Sequence, residues 1–275
     1  MNIAKEKRAI EYLRLFEPKD KPYRLGYSGG KDSDAIRILA SLAGVNHIIV
    51  HNHTTIDMPE TVYYVRSIPG VQIEYPKLSM WKLIVKTKIP PTRWNRYCCT
   101  ELKERTGAGY LNIFGVRKSE SVSRAKNNDI VTVKGMPAMT AKLAEEMDLD
   151  YRITEKGGVI LNTDDADSRE FVERCYRTRS TQINPIVDWT DSDVWEFLHY
   201  YGCKGNPLYQ EGFDRIGCVG CPMISQKKKE EEFERQPKYK LNYIKAFGRM
   251  LKLRTKMEKY SWKTGQDVFD WWIQT

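Results

Sequence analysis

Tyr27-Ser28-Gly29-Gly30-Lys31-Asp32-Ser33 places two glycines, two serine hydroxyls, a lysine and a carboxylate within seven residues. The common phosphate loop reads G-x-x-x-x-G-K-[ST]. Here the glycines are adjacent, and Asp32 separates Lys31 from Ser33. Gly29 and Gly30 remove side chains where a ligand must approach the backbone. If a helix begins at this point, its first amides and its positive dipole end face the same spot. Ser28 and Ser33 then add hydroxyls and Lys31 a full charge. Asp32 favours the first helical turn, and could organise the loop or help hold Mg²⁺.

A second set of reactive residues is scattered along the chain. Cys98 and Cys99 are adjacent in "RYCCTELK", and Cys218 and Cys221 are two apart in "IGCVGCP". A Cys-x-x-Cys pair can direct both sulfurs to one metal centre, whereas two adjacent thiolates can reach different irons of a cluster. Four thiolates satisfy either zinc or a [4Fe–4S] cluster. Cys175 and Cys203 have no partner spacing and read as buried, inert thiols. Cys203, close in sequence to Cys218, is held as a reserve ligand. Arg117 and Arg124 carry planar forks suited to phosphate or sulfate. His51 and His53 lie near the expected place of a nucleotide base. Trp189 and Trp195 read as core aromatics.

These residues need a frame. Ala4, Ile10, Leu13 and Phe16 have helical spacing, and "YRLGYS" is a strand running into the glycines. Ala35, Ile36, Leu39 and Leu42 predict a helix ending near Gly44. Further strands are expected at "HIIVHN", "VQIEY" and "YLNIFGV", with helices over 59–66 and 81–87. Strands alternating with helices predict a mostly parallel α/β sheet, with ligands beyond the carboxyl ends of its strands. Arg117 directly follows the fourth of these strands. Residues 126–180 read as a helix followed by a hairpin, expected as an insertion over the site. Thr190 and Asp193 form a capping box of the weaker aspartate kind. "KKKEEEFERQ" reads as a solvated helical face, and 237–259 as a basic amphipathic helix. The expected domains are 1–200, a nucleotide-binding α/β domain, and 201–275, the Cys-x-x-Cys segment with a helical region.

Composition bounds the partners. Hydrophobic residues make up 41 % of 275, enough for a sizeable core, and the formal net charge is +9. A basic balance fits phosphate-bearing ligands or nucleic acid. No apolar run approaches the roughly twenty residues of a membrane span, and the first residues lack a signal-peptide core. No membrane association and a cytoplasmic address are expected, and six cysteines there point to metal or redox use.

With these motifs in place, a family comes into view. "SGGKDS" resembles the PP-loop of the ATP pyrophosphatase superfamily, whose members use ATP by attack at the α-phosphate and release pyrophosphate. "DMPETVYYV", "GVRKSESVSR", "NPIVDWTDSDVWEF" and "NPLYQEGFDRIGCVGCP" are similar to segments of phosphoadenosine phosphosulfate (PAPS) and adenylyl-sulfate reductases. In the cluster-bearing branch of that family a Cys-Cys pair and a distant Cys-x-x-Cys ligate one [4Fe–4S] cluster. The resemblance runs from about Tyr23 to Pro222. It implies an adenine nucleotide α-hydrolase-like sheet flanked by helices, with a cluster-bearing, helical C-terminal extension. It implies Ser28, Gly29, Gly30, Lys31, Asp32, Ser33, Arg117 and Arg124 around ATP, PAPS or adenylyl sulfate, and Cys98, Cys99, Cys218 and Cys221 on the cluster. The adjacent Cys-Cys is awkward for tetrahedral zinc, which favours the cluster.

Reductases of this family attack the nucleotide's sulfur with a cysteine in a C-terminal Glu-Cys-Gly-x-His-like segment. This sequence reads "KYSWKTGQDVFDWWIQT" there and has no cysteine after Cys221. The expectation is therefore an ATP pyrophosphatase-type enzyme, with Lys31, Asp32 and Arg117 as catalytic residues. DNA phosphorothioation proteins and tRNA-thiolation enzymes look similar in pairing a PP-loop with a cysteine-bound cluster. Sulfur transfer, with a sulfur-donor protein and a nucleic-acid-modifying partner, is the expected setting. Two other classes stand beside it. One is a PAPS or adenylyl-sulfate reductase with an unorthodox nucleophile, Cys175 or Cys203. The other is a non-catalytic nucleotide-binding or redox-sensing partner.

Overall fold

The structure, a computed structural model, describes residues 2–104, 107–253 and 262–275. By contacts the chain divides into two compact units. The first comprises Met1–His51, Tyr63–Ile73 and Thr106–Arg215, and the second Asn52–Val62, Glu74–Arg105 and Ile216–Thr275.

Among the described residues, the first unit is built on a sheet of β1 (Tyr23–Gly26), β2 (His47–Asn52), β3 (Val71–Glu74), β4 (Asn112–Ile113), β5 (Val131–Lys134), β6 (Tyr151–Ile153), β7 (Gly158–Leu161) and β8 (Ser180–Ile183). The order is β3-β2-β1-β4-β8-β5-β7-β6. β1 pairs parallel with β2 and β4, and β4 pairs parallel with β8. β5, β7 and β6 continue the sheet in antiparallel fashion. Leu25, Ile113 and Ile183 are wholly buried, as are Ala35, Ile36 and Leu39 on the helix Lys31–Ala43. That helix stops at Gly44, which adopts φ 70.

The fold is α/β as expected, but the sheet is mixed, with β1, β2, β4 and β8 parallel and β5, β7 and β6 antiparallel. The difference lies in 126–180. "VTVK" is not the start of a helix; its three consecutive β-branched residues make β5, which pairs with β8 from Val131 opposite Ile183 to Lys134 opposite Ser180. The helix is confined to Pro137–Glu146, and the hairpin is β6–β7. This segment therefore widens the sheet. The fourth strand is also shorter than "YLNIFGV". Phe114 N still bonds Ile183 O (3.0 Å). Gly115 then brings the chain so close to the next layer that a Cβ there would lie 2.8 Å from the Asp32 carbonyl oxygen.

The second unit is mainly helical, with Met80–Thr87, Gln226–Arg235, Pro237–Lys252 and Gly265–Ile273. Phe233, Tyr243, Phe247, Phe269 and Trp272 are buried and pack ring against ring at its centre. The expected basic helix over 237–259 is seen as Pro237–Lys252, and 254–259 lie outside the described residues. The charge run is not wholly solvated. Lys229 is 1 % exposed, with Nζ 3.5 and 3.4 Å from the carbonyls of Trp272 and Ile273. These carbonyls belong to the last turn of the helix Gly265–Ile273, where that of Trp272 also accepts from Thr275. Among the described residues no helix is long and apolar enough to cross a membrane.

Candidate functional site

The glycine loop joins β1 to the helix Lys31–Ala43 at the carboxyl end of the parallel strands. The first intrahelical bond runs from Asp34 N to Gly30 O (3.0 Å), which leaves the amides of Lys31, Asp32 and Ser33 outside the helical ladder. Ser33 Oγ accepts from Gly30 N (3.1 Å) and donates to Gly30 O (2.7 Å), tightening the turn, while Ser28 Oγ stands 3.3 Å from Ser33 Oγ. Tyr27 and Tyr64 donate to the two oxygens of buried Asp34, at 2.6 and 2.9 Å. Burial pushes the Asp34 carboxyl up, against the pull of those two hydroxyls. The strand end and the helix start are thereby tied together.

Arg117 reaches the loop from the end of β4. It is 2 % exposed, and its Nε donates to Asp32 Oδ1 (2.7 Å) and Nη2 to Asp191 Oδ1 (2.5 Å). Nη1 donates to Ser119 Oγ (3.0 Å). Burial opposes its charge, but Asp32 and Asp191 outweigh burial and hold the guanidinium above its ordinary value. Lys31 Nζ lies 3.6 Å from Asp191 Oδ2. For Asp191 too, burial is outweighed by Arg117 and Lys31, and its carboxyl is held low. Lys31, Asp32 and Arg117 thus form one charge network, whose fourth member is Asp191. Arg124 is placed differently: its Nη1 pairs with Glu120 Oε2 (2.6 Å). His51 sits within β2, with Nδ1 2.9 Å from Tyr27 O, and His53 is 3.3 Å from Asp57.

Asp191, Asn206 and Tyr209 were not singled out from sequence. Asn206 Nδ2 donates to Gly29 O (3.0 Å), and Tyr209 Oη accepts from Lys31 N (2.9 Å). The signal was present in "NPLY" and in the two acids of "TDSD". Asp191 opens a helix capped by Thr190 and Asp193, which form the expected box. Trp189 is buried against Phe197. Trp195, read as a core residue, is only partly buried and lines a cavity of about 500 Å³ with His199, Cys203, Lys204, Tyr209 and Gln210. Cys175, in contrast, is wholly buried.

In the second unit lie Cys98, Cys99, Cys218 and Cys221. Cys221 N bonds Cys218 O (3.2 Å), closing a turn through Gly220 at φ 69. A Cβ on Gly220 would lie 2.6 Å from Phe233 Cζ and 2.9 Å from Trp272 Cη2. Val219 N bonds Ile56 O (2.8 Å). The charges of Cys99, Cys218 and Cys221 all act on Cys98. A hydrogen bond from Cys98 brings the Cys99 thiol down to about 6, helped by Lys103 and Arg96, while that bond and burial push Cys98 up. Desolvation raises Cys218, against the pull of Lys103.

The donor set can be tested against both metals. The four thiols are near enough to one another that Cys99, Cys218 and Cys221 all act electrostatically on Cys98. Tetrahedral zinc, with Zn–S near 2.3 Å, would hold them about 3.8 Å apart. A four-iron cluster gives each thiolate its own iron and suits a wider frame.

Glu232 steadies the Cys-x-x-Cys turn by accepting from Gly220 N (2.7 Å). Burial pushes its carboxyl from 4.5 up to about 7, against the Gly220 amide. The folded state then binds this proton more tightly than the unfolded chain. That contribution to stability is fully present below pH 4.5 and is lost as pH rises through about 7. Glu232→Gln keeps an acceptor and removes the proton. Wild-type stability should fall relative to the variant as pH rises from about 5 to 8. Unfolding midpoints that run parallel across this range would contradict the assignment.

The family model for the phosphoadenosine phosphosulfate reductase domain matches residues 23–224. An uncharacterized protein of Methanocaldococcus jannaschii is 25 % identical over 225 residues, 77 % of this chain and 44 % of its own length. An adenosine 5'-phosphosulfate reductase of Bacillus cytotoxicus is 27 % identical over 92 residues, 32 % of this chain and 39 % of its own. The chain spans less than half the length of these curated relatives. Among solved structures, phosphoadenylyl-sulfate (PAPS) reductase from Candida auris, in its phosphate complex, aligns over 76 % of this chain and 87 % of that one, at 16 % identity and a TM-score of 0.47.

Proposed function

The chain belongs to the phosphoadenosine phosphosulfate reductase domain family, and from that premise we propose that it is an adenine-nucleotide enzyme of the ATP pyrophosphatase type, acting in sulfur transfer to a nucleic-acid acceptor. The observation that carries this reading is the convergence of Lys31, Asp32 and Arg117 on the loop that follows β1, tied together by Asp191.

In this reading the loop amides and the hydroxyls of Ser28 and Ser33 bind the phosphates of ATP. The acceptor's nucleophilic atom forms a bond to the α-phosphorus, the bond to the bridging oxygen breaks, and pyrophosphate leaves with the electron pair. Lys31 and Arg117 neutralise the charge that develops on the leaving oxygens. Asp32 has one oxygen on Arg117, and its other oxygen, with exposed Asp191, offers the hard donors that Mg²⁺ prefers. Arg124 is assigned to the outer rim of the site, through Glu120. Cys98, Cys99, Cys218 and Cys221 would hold a [4Fe–4S] cluster. When bound, such a cluster supplies electron-transfer or sulfur-holding chemistry.

The loop assignment is testable at Gly30. Its φ of −101 and ψ of 165 are extended backbone that any residue adopts. Gly30→Val should therefore leave the fold intact and abolish ATP binding by filling the space in front of the amides. Unchanged ATP affinity in the folded variant would contradict the assignment.

One observation favours a second reading, a reductase with an unorthodox nucleophile. Cys203 is a partly buried thiol on the wall of the cavity that Tyr209 also lines, and Tyr209 touches the loop. Cys203→Ser would then abolish sulfite formation from PAPS, whereas the first reading has no sulfite to lose.

A further inference from the structure

We infer that the cavity lined by Trp195, His199, Cys203, Lys204, Tyr209 and Gln210 is the acceptor site, and that it receives an unpaired base of single-stranded nucleic acid. Its volume of about 500 Å³ falls within the roughly 300–1,000 Å³ of small-molecule sites, room for one nucleotide. The inference rests on the reading of the neighbouring loop as an ATP site.

Three features of the cavity point to a base. The first is its aromatic lining. Trp195 and His199 have ring centroids 5.8 Å apart and planes inclined by 31°, while Tyr209 meets Trp195 edge-on at 5.0 Å. Aromatic faces of this kind stack unpaired bases, which are the form of nucleic acid that proteins read by stacking. The second is charge. Lys204 is exposed in the lining, and the chain carries a net charge of +9, complementary to a phosphodiester backbone. The third is a group able to read a base edge: the Gln210 amide can both donate and accept.

Tyr209 links the cavity to the chemistry. Its hydroxyl accepts from the Lys31 amide, and Lys31 Nζ lies 5.6 Å from the centre of its ring. A nucleotide held in the cavity is therefore separated from the phosphate loop by one side chain. The place suits a group that must meet the α-phosphate.

The test measures two affinities on the full chain: ATP by equilibrium dialysis, and a fluorescent single-stranded oligonucleotide by anisotropy. Trp195→Ala should weaken oligonucleotide binding roughly tenfold or more and leave ATP affinity unchanged, with Trp195→Phe retaining most of it. Trp195 packs in part against the core, so exposed His199→Ala serves as a second variant and should weaken the oligonucleotide alone. Unchanged oligonucleotide affinity in folded variants would overturn the inference. Loss of ATP with the oligonucleotide intact would also overturn it, by assigning the cavity to the cofactor. Failure of the wild-type protein to bind ATP would instead sink the reading of the loop, and the oligonucleotide measurement would still decide the cavity.

Discussion

Arg117→Ala should slow pyrophosphate release by roughly a hundredfold or more, measured with ATP and with single-stranded DNA or tRNA as acceptor. The expectation follows from where the guanidinium sits. It is buried at the end of β4, where Asp32 at 2.7 Å and Asp191 at 2.5 Å fix it beside the loop. A preorganised donor aimed at developing charge contributes a few kcal/mol in the transition state, and each 1.36 kcal/mol is tenfold in rate. The same change leaves Asp32 and Asp191 without their shared cation, so some loss of stability should accompany it. Arg117→Lys separates the two effects. It keeps a positive charge but cannot bridge two carboxylates with a planar fork, so stability should return further than rate. An Arg117→Ala protein that is folded and as fast as wild type would remove Arg117 from the chemistry.

The second large effect is expected at the cysteines. Anaerobically reconstituted wild-type protein should hold about four irons per chain, and Cys218→Ser or Cys98→Ser should hold far less. Metal binding is also folding free energy, so the second unit should lose thermal stability along with the iron. The frame around Cys218 and Cys221 is already tight. Gly220 has no room for a side chain, and Glu232 and Tyr243 each bond its backbone or that of Val219. Serine in place of Cys218 should leave this frame standing and remove only the ligand. Stoichiometric zinc with no iron would contradict the cluster, as would full iron retention in both variants.

Much of this architecture could be read from the chain alone because local signals agreed with one another. Adjacent glycines between an apolar strand and a periodic helix left one placement for the loop. Gly44 and the Thr190–Asp193 box marked helix ends through backbone chemistry that acts within a few residues. What could not be read depends on pairing over long separations. "VTVK" carries β-propensity too short to outweigh the helical pattern after it, and only its partner Ser180–Ile183 makes it a strand. Asp191, Asn206 and Tyr209 reach the loop across more than 150 positions, and no spacing rule announces such contacts. Lys229 looked solvated because its neighbours are charged. The carbonyls that bury it belong to a helix more than thirty residues later.

The most direct measurement offers the anaerobically purified protein two nucleotide substrates and identifies the products. One arm contains ATP with single-stranded DNA or tRNA. The other contains PAPS or adenylyl sulfate with reduced thioredoxin. Pyrophosphate from the first arm and no sulfite from the second is the predicted result. Sulfite formed at ordinary enzymatic turnover, with no pyrophosphate from ATP, would contradict it and make Cys203 the nucleophile to test.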